Sequence, residues 1–90
     1  MDKLQEFQVA ARVDGFVEVN EGGGADVDAN VAWFRSELPD PSSKVHRRLC
    51  IDGLTCSATI YWETAGAKLN SKTFRTVSSM KAWLSLNPVG

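Results

Sequence analysis

The chain has 90 residues, of which 43% are hydrophobic and 23% charged, with three Trp, four Phe, two Cys, one His and a net charge of −1. A chain this short buries roughly 60% of its extended surface, enough for one core and not two, so one α+β domain over 1–90 is expected. The composition excludes a disordered tail, and no apolar run approaches the roughly 20 residues that cross a bilayer.

The N-terminal MDKLQEFQ has neither an apolar signal core nor a small-residue cleavage site, so a cytoplasmic protein without membrane attachment is expected. Charge is unevenly spread. Residues 1–39 carry three basic against eight acidic groups, and residues 40–90 seven basic against three acidic. Such asymmetry points to a charged partner.

From Phe7 the positions Phe7, Val9, Ala11 and Val13 alternate with polar ones, which predicts a strand. Asp14-Gly15 suits a hairpin turn, and Phe16, Val17 and Val19 suit a short returning strand. The glycines of EVNEGGGAD predict a flexible loop at 21–25. Val27, Val31, Phe34 and Leu38 then fall at i, i+4, i+7 and i+11, predicting a helix over about 26–38 with Asp26 and Asp28 at its N-terminus and Pro39 and Pro41 beyond it.

The stretch RRLCIDGLTCSATIYW reads as a hairpin on an Asp52-Gly53 turn, pairing Ile51 with Leu54, Leu49 with Cys56, Arg47 with Ala58 and Val45 with Ile60. One face then carries Val45, Leu49, Ile51, Leu54, Cys56, Ala58, Ile60 and Trp62, and the other Lys44, His46, Arg48, Cys50, Thr55, Ser57, Thr59 and Tyr61. Arg47 falls on the apolar face, where Glu37 could pair with it unless it escapes to the sheet edge. After an Ala65-Gly66 turn, KLNSKTFRTV predicts a third strand with Phe74 inward and Thr73 and Arg75 outward. VSSMKAWLSLNP predicts a closing helix capped by Ser78, with Met80, Trp83 and Leu84 on its apolar stripe.

The expected class is α+β: an antiparallel three- to five-stranded sheet with two helices on one face, in the order strand, possible short strand, helix, three strands, helix.

Catalysis is not expected. Cys50 and Cys56 point to opposite faces in this register and so stay free, and two cysteines with one histidine fall short of a zinc site. His46 and Cys50 lie four residues apart on one strand, roughly 13 Å, too far for a nucleophile and base. The triple glycine lacks the spacing of a phosphate-binding loop, so no cofactor is expected.

What is left is the outer sheet face. Lys44, His46, Arg48 and Arg75, interleaved with Thr59, Tyr61 and Thr73, form a candidate surface for a phosphate backbone, with Arg48 and Arg75 flanking the Thr59 and Tyr61 row. The partner expected is nucleic acid or a nucleoprotein complex. The alternative is a protein-only module, an inhibitor or homodimer, using the acidic N-terminal half and exposed aromatics such as Trp33.

The segment Phe74, Thr76, Met80, Trp83, Leu84 is similar to the strand-to-helix junction of the phage-encoded anti-CRISPR proteins, and to the last strand and helix of plant ethylene-response and integrase arm-type DNA-binding domains. The order helix, three strands, helix over 26–86 resembles double-stranded-RNA-binding domains, although only Lys81 stands in the final helix where those carry a lysine-rich start. These resemblances imply a small binding protein of mobile-element type.

Overall fold

In KLQEFQVAARV two apolar periods compete, and the helical one prevails. Leu4, Phe7, Ala10 and Ala11 share one stripe, the intervening residues are good helix formers, and Val9 and Val13 are left exposed. The computed structural model, which describes residues 3–19, 31–41, 43–64 and 68–88, therefore opens with helix α1, Lys3–Val13, where the alternation predicts a strand. Asp14-Gly15 ends that helix instead of turning a hairpin. Gly15 adopts φ +87° and its N–H donates to the carbonyl of Arg12 at 3.2 Å.

Five strands follow: β1 Phe16–Val19, β2 Val31–Pro39, β3 His46–Asp52, β4 Ser57–Thr64 and β5 Lys68–Phe74, with α2, Val77–Leu86, last. They form one antiparallel sheet in the order β1-β2-β3-β4-β5. The α+β class, the five-stranded antiparallel sheet and the two helices agree with expectation; the place of the first helix does not.

Residues 31–38 are strand rather than helix because Ala32, Phe34 and Ser36 alternate with Val31, Trp33 and Arg35, and hydrogen bonding to both β1 and β3 outweighs the wider-spaced stripe. Leu38, expected on the buried stripe, is 62% exposed. The glycine-rich segment 21–25, Asp26, Asp28 and the Ala65-Gly66 turn lie outside the described residues.

The β3–β4 hairpin forms in a different register. Asp52 pairs with Ser57, Ile51 with Ala58 and Leu49 with Ile60, which leaves residues 53–56 as the connection. Asp52 Oδ1 accepts from the N–H of Leu54 at 2.9 Å, and Cys56 takes φ +52°, so an Asx turn displaces the tighter one. Relative to the expected pairing the shift is four residues. An even shift keeps every strand side chain on its face, so Leu49, Ile51, Ala58 and Ile60 still point inward. Leu54 and Cys56 instead leave the core for the turn.

Both helices cover the same face. α1 packs on β1 and β3, α2 on β5, and the helices touch each other. One core cluster draws on all seven elements: Phe7, Ala10 and Ala11, Phe16, Phe34, Leu49 and Ile51, Ala58 and Ile60, Phe74, and Met80 with Leu84. Thr76, not Ser78, caps α2, accepting from the N–H of Ser79 at 3.2 Å. Trp83 packs against Trp62 and Phe74 at centroid distances of 5.0 and 5.9 Å, sealing the β4–β5 side.

Arg47 is buried on this face and its carboxylate partner is Asp40, not Glu37. Nε donates to both oxygens of Asp40 at 3.2 and 3.1 Å, and the guanidinium also donates to the carbonyls of Asn87 and Pro88 beyond the end of α2 and lies over the Trp83 ring. Ser36 Oγ accepts from the Arg47 N–H and donates to the Leu38 carbonyl. Each of the three guanidinium nitrogens finds an acceptor, which is what makes a charge tolerable at this depth.

Candidate functional site

With the helices on one side, the other face of the sheet carries no layer among the described residues. The register orders it in rows across the strands. Arg35 of β2 stands opposite Arg48 of β3, then Tyr61 of β4 and Ser71 of β5; the next row runs Trp33, Cys50, Thr59, Thr73. Trp33 and Tyr61, two strands apart, lean toward each other over β3 until their rings stack at 6.2 Å with 28° between planes. Half-buried Cys50 lies between Trp33 and Thr59 in its row, and burial pushes its thiol pKa up, with the Asp52 carboxylate adding to the effect.

Beside the stack is a groove of about 440 Å³, with Val45 and Leu69 as apolar walls and His46, Arg48 and Glu63 as polar ones, Trp33 and Tyr61 completing it; Trp62, also at its edge, turns its ring to the helix face against Trp83. The ring of His46 is fixed. Its Nδ1 lies 2.8 Å from the carbonyl of Ser36, which can only accept, so Nδ1 carries the hydrogen and Nε2 is left for another partner.

Cations concentrate in one row. Arg35 and Arg48 are direct cross-strand partners, and both are exposed. No carboxylate among the described residues lies within ion-pair distance of Arg35.

Of the residues singled out from the sequence, His46, Arg48 and Tyr61 meet in the groove, and Thr59 and Thr73 join hydroxyls at 2.9 Å in the next row. Lys44 sits apart in the connection before β3, at φ +61° with its N–H on the Asp40 carbonyl. Arg75 lies past the end of β5, two rows from Arg48, so these two arginines do not flank Tyr61 together.

Sequence reasoning missed Trp33 and Arg35 as members of this face, having put them on a helix. The signal was present as the alternation of Val31, Trp33 and Arg35 with Ala32, Phe34 and Ser36. Glu63 and Leu69 were missed too, and both follow from continuing the outward positions of β4 and β5 to the strand ends.

Among the described residues no three His, Cys, Asp or Glu side chains gather as a metal site would require, and no helix is long and apolar enough to cross a membrane. Comparison with protein families, curated proteins and solved structures finds no match.

Proposed function

We propose that the protein is a binding protein without catalytic activity, and that its ligand is nucleic acid, free or within a nucleoprotein complex, held on the outer face of the sheet. One observation carries this reading: two arginines stand directly opposed beside a stacked pair of aromatic rings, on the face the helices leave uncovered. Two cations side by side on adjacent strands match anions in series, and phosphates supply anions at regular spacing. Ser71, and whichever of Thr59 and Thr73 accepts in the bond between them, add hydroxyls that can donate to phosphate oxygens.

Fluorescence anisotropy of labelled oligonucleotides tests the reading. Arg35→Glu/Arg48→Glu is expected to weaken binding at least tenfold at moderate salt while leaving thermal stability nearly unchanged, since exposed charges contribute little to folding. Wild-type affinity is expected to fall steeply with salt as counterions are released. Binding indifferent to both the double substitution and salt would instead assign the face to a protein partner or a second copy of the chain.

A further inference from the structure

We infer that the ligand is single-stranded, with its bases stacked on Trp33 and Tyr61 and one of them, bearing an exocyclic amine, seated in the groove beside Tyr61. This inference rests on the nucleic-acid reading above and narrows it.

The argument begins with what an aromatic face can meet. In a duplex the base planes are covered by their neighbours, and only edges and phosphates are offered to a protein. A ring face on a flat sheet is matched by an unstacked base, whatever its identity. Trp33 and Tyr61 cover one face of each other over β3, which leaves the outer side of this half-buried stack as the place where a base can extend it.

The groove gives the second argument. Its volume of about 440 Å³ lies within the range of small-molecule sites, which are apolar with a few polar groups to fix orientation. Val45 and Leu69 suit the plane of a base and the carbon skeleton of its sugar. His46, Arg48 and Glu63 suit its edge.

These polar groups also discriminate. The Glu63 carboxylate only accepts, and the N4 amine of cytosine donates where thymine presents a carbonyl. Nε2 of His46 also faces this edge and, with Nδ1 donating to Ser36, is the ring nitrogen available to a ligand. Cytosine is therefore favoured over thymine.

The test measures anisotropy of labelled oligocytidylate, oligothymidylate and a mixed-sequence duplex of equal length. The cytidylate strand is expected to bind at least tenfold more tightly than the duplex and several-fold more tightly than the thymidylate. Trp33→Phe is expected to remove most of the tryptophan quenching that stacking causes, and Tyr61→Ala to weaken strand binding about tenfold, with Tyr61→Phe restoring it. Glu63→Gln, whose amide both donates and accepts, is expected to narrow the difference between cytidylate and thymidylate.

Duplex binding equal to or tighter than that of the strands would overturn the single-strand inference while leaving the nucleic-acid reading in place. Strands that bind without preferring cytidylate would overturn the base assignment in the groove. Failure of all three probes to bind would overturn both readings. The comparison of strands with duplex uses the wild-type chain, so it does not depend on any variant folding.

Discussion

Arg47 and Asp40 form a bifurcated ion pair in the sheet's covered face, Nε reaching both carboxylate oxygens at 3.2 and 3.1 Å while the rest of the guanidinium holds the chain just past α2. The pair ties three elements together: the end of β2, the start of β3 and the C-terminus of α2, where the helix dipole also favours a cation.

Removing one partner leaves the other charge buried and unmatched. Asp40→Ala or Arg47→Glu is expected to cost about 3–5 kcal/mol in urea unfolding, whereas Asp40→Leu/Arg47→Met costs less than the sum of its single changes. Arg47→Glu is expected to lower stability before it lowers ligand affinity. A loss under 1 kcal/mol for Asp40→Ala would mean that the α2 carbonyls alone hold the guanidinium.

The raised pKa of Cys50 makes its reactivity a measure of the open face. Alkylation of Cys50 by iodoacetamide, followed by peptide mass spectrometry, is expected to rise with pH around a midpoint above that of an ordinary thiol. Asp52→Asn is expected to lower that midpoint in part, because it removes the second cause and keeps the acceptor for the Leu54 N–H. The folded state holds this proton more tightly than the unfolded one, so the resulting stabilisation is complete below the unfolded thiol pKa and is lost as pH rises through the folded value. An unshifted midpoint in the native protein would place the thiol in open solvent.

Cys56 supplies the test of the β3–β4 connection. At φ +52° a side chain is disfavoured, and among the described residues Sγ makes one long polar contact, to the Gly53 carbonyl. Cys56→Gly is expected to be neutral or to stabilise by up to about 1 kcal/mol, the relief of strain being offset by the freer unfolded chain. Cys56→Val, branched at Cβ, is expected to destabilise. A Cys56→Gly loss of about 2 kcal/mol or more would instead indicate a cysteine packed in the core.

How legible these features are in the sequence depends on how many periods a segment fits. Residues 7–13 and 27–38 each fit two: Phe7, Val9, Ala11 and Val13 alternate while Leu4, Phe7 and Ala11 repeat at helical spacing, and Val31, Phe34 and Leu38 do the converse. Tertiary pairing decides such cases, and no local rule ranks the alternatives. The segments 45–52 and 57–64 fit only the strand period, so their faces are legible even though the turn between them is not. The same contrast governs the site. His46, Arg48 and Tyr61 come from the unambiguous hairpin and meet as expected, while Trp33 and Arg35 come from the ambiguous segment and were hidden. Asp40 as the partner of Arg47 depends on how the chain leaves β2, a matter of loop geometry that residue type alone does not specify.

Every strand hydrogen-bonds only to its neighbours in sequence, so assembling the sheet asks for short chain closures, while the longer ones fall to the helices. α1 reaches forward to β3 and to α2. A chain deprived of α1 therefore keeps all four strand pairings but uncovers the apolar side of the sheet around Phe16, Phe34 and Leu49. Such a species retains its backbone order and gains adhesive surface, which makes the first helix less a builder of the sheet than the guard against its aggregation.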